Sequence, residues 1–183
     1  MKKKLNFKFS LDRLLAVFAF MISLCTLYVF YQQTSLMKKQ QYASVLPYFS
    51  ISNTQINGDY SFILENNGIG PGFIEEINIH YQDSVYKNKD VNSFFIDVIL
   101  KKDSLLNSSN ITHATIRKGM LIPDNEKKDM IKLNSSDVDF ENKHYKLRQW
   151  FNEKIKVEIK YSSIYGEKWK IIYPEIDVPL KLN

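Results

Sequence analysis

The stretch KIKVEIKYSSIYGEKWKIIY, Lys154 to Tyr173, decides how this chain folds. In its first half Lys154, Lys156, Glu158 and Lys160 fall on one side, and Ile155, Val157, Ile159 and Tyr161 on the other. A period of two with one charged face and one apolar face specifies a half-buried β-strand. SSIYGE then turns the chain, and KWKIIY repeats the alternation with Trp169, Ile171 and Tyr173 together. The expected unit is a hairpin whose aromatic and β-branched side chains pair across the strands.

The same period recurs upstream. Phe49 and Ile51 alternate with serines; Tyr60, Phe62 and Leu64 share a face; so do Ile77, Ile79 and Tyr81. Asn57-Gly58 between the first two runs is a hairpin signal. THATIRKG and KDMIKL read as further strands around the turn LIPDNE. Two segments switch to helical spacing: DVNSFFIDVILKK, with Asp90 as its N-cap, and FENKHYKLRQWF. Too few helices separate the strands for a parallel sheet. The expected class is mainly β: an N-terminal transmembrane helix, then an antiparallel, immunoglobulin-like β-sandwich with one or two short inserted helices.

ENNGIGPGF, Glu65 to Phe73, joins two of these strands. A phosphate cradle needs converging N–H groups at a helix start. Here Pro71 removes a donor and a strand follows. Gly68, Gly70, Pro71 and Gly72 therefore read as a structural turn, with Gly68 and Gly70 expected at positive φ. NNGIGPGF and YSSIYGEKW, behind one apolar span, resemble a group of small bacterial single-span membrane proteins of uncharacterised function. The resemblance covers most of residues 11–173. It implies an immunoglobulin-like sandwich closed by the second motif as a hairpin, and it carries no known catalytic residue.

LLAVFAFMISLCTLYVFY, Leu14 to Tyr31, holds no charge. As a helix its eighteen residues reach about 27 Å, close to the ~30 Å hydrocarbon core. No small-residue cleavage site follows, and Leu24 before Cys25 does not suit a lipoprotein signal. The organisation read from the chain is a basic flank over 1–13, a membrane span over 14–31, a helical stem over 32–46 and a β-sandwich domain over 47–183. Lys2, Lys3, Lys4, Lys8 and Arg13 precede the span, while Lys38 and Lys39 follow it. The positive-inside rule then puts the N-terminus in the cytoplasm of a bacterial inner-membrane protein and the domain in the periplasm or outside the cell. Those seven cations also explain the net charge of +5: beyond residue 39 there remain 18 basic against 19 acidic side chains. A near-neutral domain gives no reason to expect a nucleic-acid partner.

No catalytic, metal or cofactor constellation emerges. His80, His113 and His144 lie on separate segments without metal-ligand spacing. Glu75 and Glu76, adjacent on a strand, should point to opposite faces. Ser162 and Ser163 lack a nucleophile motif and suit a turn. His144 and Arg148, four apart, share a helix face, an arrangement that is usually a surface coincidence. Tyr165, at the hairpin tip, and Trp169 are the candidate interaction residues. The expected function is non-enzymatic: a membrane-anchored domain held in lipid through residues 14–31, which contacts another envelope protein or itself. The alternative is a membrane-anchored ligand sensor or effector, of a stress or phage-defence type, acting through oligomerisation of its span.

Overall fold

A computed structural model describes residues 11–107 and 109–182. Most of the expected basic flank, residues 1–10, lies outside the described residues. The chain forms two compact units, residues 1–43 and 44–183.

The first unit is one helix, α1, Leu11–Ala43. Its most apolar window has a mean hydropathy of 2.2, long and apolar enough to cross a membrane, and none of that window is buried by protein. At about 1.5 Å per residue the 33 residues extend roughly 50 Å, so the segments expected as span and stem lie in one continuous helix. The helix stops at Ala43, short of the expected 46.

The second unit is an antiparallel β domain of ten strands among the described residues: β1 Phe49–Ile56, β2 Asp59–Asn66, β3 Gly72–Tyr81, β4 Ser84–Lys87, β5 Ile111–Thr112, β6 Leu121–Ile122, β7 Lys127–Leu133, β8 Ile155–Ser163, β9 Lys168–Tyr173 and β10 Ile176–Leu182. One sheet runs β1-β2-β7-β5, the other β10-β9-β8-β3-β4 with β6 also on β3. Matched in chain order, these sheets follow the A-B-E-D and G-F-C arrangement of an immunoglobulin-type sandwich. The sheets meet through aromatic rings: Phe49 stacks on Tyr161 with centroids 4.1 Å apart, and Phe62 packs edge-on against Tyr173 at 5.1 Å.

The hairpin that decided the class is β8 and β9. Ile155, Val157, Ile159, Tyr161, Trp169 and Ile171 are all buried, while Lys156 and Lys168 are exposed. Tyr161 pairs with Trp169 and Ile159 with Ile171. The β1–β2 turn places Asn57 at φ 53° and Gly58 at φ 90°, the mirror-image turn that suits a two-residue hairpin loop.

Four short helices complete the unit among the described residues. Val91–Phe94 (α2) widens into a π turn at Phe95–Ile99 and ends as Leu100–Lys102 (α3); Ser104–Asn107 is α4. Asp90 caps α2 as expected, accepting from Ser93 N at 3.1 Å, and its other oxygen accepts from Ile116 N at 2.7 Å. That second bond diverts the chain from the ladder, so THATIRKG contributes only Thr112 to a strand. Phe140–Gln149 is α5, followed by a π turn at Trp150–Lys154. Its buried residues are Phe140, Lys143 and Leu147, with Tyr145 fully outward. Strands β4, β6 and β10 were not expected; β6 takes the first two residues of LIPDNE, read as a turn, onto β3, and Pro179 interrupts β10, which lies at a sheet edge where a missing N–H is tolerated.

Residue 44 enters the domain, and residue 182 leaves it, at the same end. Phe49 faces Asn66, Gly72 faces Ser163, Ser162 faces Lys168, and Lys168 faces Leu182.

Candidate functional site

The glycine loop lies at that entry end, and its residues are there for a different reason from the one read in the sequence. Gly68 and Gly70 do not take positive φ. They are glycine because the backbone of residues 45–48 runs against them. A Cβ on Gly68 would stand 2.3 Å from Leu46 O and 2.4 Å from Tyr48 N, one on Gly70 2.3 Å from Val45 O, and one on Gly72 2.6 Å from the Phe49 ring. The two segments are also bonded, Asn67 N to Tyr48 O at 2.7 Å and Ile69 N to Leu46 O at 3.1 Å. Pro71 sits between Gly70 and the start of β3. At the centre is Asn66, 0% exposed. Its Oδ1 accepts from Tyr48 N and Gly68 N, both at 3.0 Å, and its Nδ2 donates to Gly70 O, Ile122 O and Pro123 O. This is a structural clasp.

Tyr165 and Trp169 part company. Trp169 is 6% exposed and stacks on Tyr161 at 5.8 Å, so its ring belongs to the core and offers no surface. Tyr165, 38% exposed, stays at the tip with Ile164. Phe73 and Leu121, paired across β3 and β6, are also exposed at this end of the sheet.

Glu75 and Glu76 do not point to opposite faces. The β3–β8 register shifts between Ile74 and Glu76, and the bulge leaves both carboxylates outward. Glu75 accepts from Ser162 Oγ at 2.6 Å, and Glu76 pairs with Lys160 at 2.7 Å and accepts from Asn78 at 2.8 Å. Lys160 and Asn78 hold the Glu76 carboxyl below its usual value.

The other end of the domain gathers the residues with unspent chemistry. β1 supplies Asn53, β2 Tyr60, α5 His144 and Arg148, its π turn Asn152, and β9 Tyr173. Helical spacing put His144 and Arg148 on one face; packing α5 across β1 and β2 gives that face a partner. The His144 ring lies between Phe140, 5.6 Å away, and Tyr60, 5.3 Å away. Asn53 Nδ2 donates to Asn152 Oδ1 at 2.9 Å, and the Tyr173 hydroxyl donates to the same oxygen. The Tyr60 hydroxyl and Asn53 Oδ1 are buried and have no partner in hydrogen-bond geometry. Burial pushes the Tyr60 pKa well up and Tyr173 adds to the rise, while Arg148 and the nearby Asn53 side chain oppose it. The phenol is therefore neutral and keeps its proton to donate. Arg148 is exposed and makes no ion pair with the described residues.

Three hollows open here. One of about 120 Å³ is lined by Asn53, Thr54, Gln55, His144 and Arg148. A second, about 220 Å³, shares Arg148 and adds Asn152 and Glu153. The third, about 450 Å³, takes in Asn152, His80, Lys154, Lys156 and Glu175. The arrangement offers a guanidinium, an imidazole and neutral hydrogen-bonding groups, which suits recognition of a polar ligand. Among the described residues no three His, Cys, Asp or Glu side chains gather as a metal site. Sequence reasoning singled out His144 and Arg148 but missed Asn53, Tyr60 and Asn152. No spacing rule links them, since they come from segments roughly 90 residues apart.

No protein-family model, curated protein or solved structure matches this chain.

Proposed function

We propose that the chain is a single-pass protein of the bacterial inner membrane whose immunoglobulin-like domain works outside the cytoplasm as a non-enzymatic recognition module, contacting another envelope protein or a second copy of itself. The observation that carries this reading is the 33-residue helix, whose apolar window is left wholly unburied by the rest of the chain. A helix apolar all round needs a lipid or protein environment. The exposed Phe73, Leu121, Ile164 and Tyr165 support a protein contact near the hairpin tip. The direction of insertion rests on the basic flank.

Two measurements test the proposal. A C-terminal alkaline phosphatase fusion should be active and a C-terminal green fluorescent protein fusion exported by the same route dark; the reverse would overturn the placement. A photocrosslinking residue at position 165 should give a discrete adduct in intact cells, while one at the outward Lys170 should not. Equal or absent adducts at both positions would remove the hairpin tip from the interface.

A second reading is favoured by the polar end of the domain. Arg148, exposed beside His144 and without an ion pair among the described residues, suits a ligand sensor that acts through oligomerisation of its span. That reading places the domain in the cytoplasm, so the same fusions separate the two.

A further inference from the structure

Half of the large hydrophobic side chains that the domain leaves exposed lie at the end that residue 44 enters, seven of fourteen beyond Ala43 among the described residues. Phe73, Leu121, Ile164 and Tyr165 belong to the hairpin tip and the strands beside it. The other three, Leu46, Tyr48 and Ile69, form a separate group on the glycine clasp. Leu46 and Tyr48 lie within residues 44–48, directly after the apolar helix. Ile69 is the most open of the seven, 66% exposed. Its loop is not loose. The Ile69 N–H donates to Leu46 O, the glycines on either side of it have the backbone of residues 45–48 packed against them, and Asn66 bonds to both of those glycines. Ile69 is therefore fixed outward and cannot turn in without breaking the clasp. Apolar groups gathered and left open in this way mark a contact surface.

What covers them follows from how the chain arrives. The helix α1 carries no charge between Arg13 and Lys38. With the middle of that run at the centre of a bilayer, Ala43 stands roughly 26 Å out along the axis, against ~20–22 Å for the outer edge of the headgroups. The gap of roughly 5 Å is the reach of one large side chain, and a helix tilt, ~20° on average, narrows it. We infer that Leu46, Tyr48 and Ile69 rest in the headgroup layer of the bilayer that α1 crosses. The two aliphatic side chains point toward the acyl chains, and the Tyr48 ring takes the interface that amphipathic rings favour. Because the clasp already orders this backbone, insertion gives up little conformational freedom. Lipid suits the place better than a folded partner, which does not fit a gap one side chain deep. The inference goes beyond the protein contact proposed for the hairpin tip, which keeps Tyr165. It rests on α1 crossing the bilayer and not on which side the domain faces.

The test uses the full chain reconstituted in vesicles of phosphatidylcholine and phosphatidylglycerol, with a nitroxide on one cysteine at a time. The readout is the label's collision rate with oxygen, which concentrates in lipid, set against that with a water-soluble nickel chelate. A label on the native Cys25 gives the depth reference. In a Cys25→Ala background, labels at Ile69→Cys and Tyr48→Cys should meet oxygen more than nickel. A label at Val138→Cys, 83% exposed beyond the Leu133 end of β7, should show the reverse. Adding Ile69→Ser should shift the label at 48 toward nickel. The inference is overturned if the labels at 48 and 69 meet nickel as freely as the one at 138, which leaves this end in water. It is equally overturned if both collision rates fall together there, which buries the end against protein. A Cys25 label that nickel reaches would remove the span itself and this inference with it, so the two failures are told apart.

Discussion

Replacing Asn66 by aspartate exchanges an NH₂ for an oxygen and alters almost nothing in size. The two bonds from Tyr48 N and Gly68 N survive. The Nδ2 bonds to Gly70 O, Ile122 O and Pro123 O, at 2.9, 3.2 and 2.9 Å, become contacts between a carboxylate and three carbonyl oxygens. Each lost bond removes about 1 kcal/mol. A buried charge facing acceptors adds a penalty of about 3 kcal/mol, at the lower end for an uncompensated buried ion because two N–H donors remain. The total, about 4–6 kcal/mol, approaches the whole stability of an ordinary domain, about 5–15 kcal/mol. At roughly 3–4 °C per kcal/mol, melting should fall by about 12–24 °C at pH 7. The sign with pH is defined. The carbonyls raise the folded pKa of the new carboxyl above its unfolded value, so the deficit is smallest below about pH 4 and grows as pH rises through the folded pKa. Trp150 and Trp169 are both in the core, so their fluorescence in the detergent-solubilised chain follows this domain and not the helix. Asn67→Asp is the control, since the Asn67 side chain reaches only the exposed Ser50 Oγ and the change should cost within about 0.5–1 kcal/mol. If Asn66→Asp melts within 2–3 °C of its parent (roughly 1 kcal/mol), the clasp does not hold the entry end together.

Gly70→Ala should cost about 1–3 kcal/mol by driving Val45 away, and faster proteolysis within 44–48 would show it; equal cleavage rates would argue against the close approach. Val157→Asp places an unpaired carboxylate on the inner face and should unfold the domain, whereas Lys156→Asp gives up a half-exposed ion pair with Glu175 worth about 0–1 kcal/mol; equal melting of the two would place the strand in the wrong register. Asp137 is desolvated by burial, but Lys143 and Asn110 N overcome that and depress its carboxyl. Its contribution is therefore present above the unfolded value near ~3.9 and lost as pH falls through the depressed folded value. Asp137→Asn should accordingly lower stability at neutral pH and flatten the acid limb of a melting-versus-pH curve, and an unchanged acid limb would refute the assignment.

The parts of the fold that were legible are those where one face meets water and the other the core. KIKVEIKY reads as a strand because Lys156 and Val157 are sorted by solvent, and Asp90 reads as a cap because capping is local. The glycine loop was placed correctly and explained wrongly. Glycines that make room for a distant backbone look the same in sequence as glycines that turn a chain, and only the return of residues 45–48 distinguishes them. Ile116 left its strand because Asp90, 26 residues away, took its N–H. β10 was hidden by Pro179, a residue that argues against a central strand and is silent about an edge. The polar end was half visible: helical spacing pairs His144 with Arg148, but what they face was set by docking α5 onto β1 and β2. Trp169 was offered as an interaction residue although it alternates with Lys168 and Lys170 and shares the face of Ile171, the face that packs inward.

That residues 44 and 182 emerge together has a mechanical meaning. Any tension between the apolar helix and something grasping the far terminus is applied at a single end of the sandwich. The load opens β1 and β10 from that end, one hydrogen-bonded rung at a time, instead of shearing a whole ladder at once. Unzipping of this sort yields at lower force than shearing a whole ladder. The same geometry leaves the end with Arg148 untethered, and a tag or fusion at the C-terminus would hang clear of it.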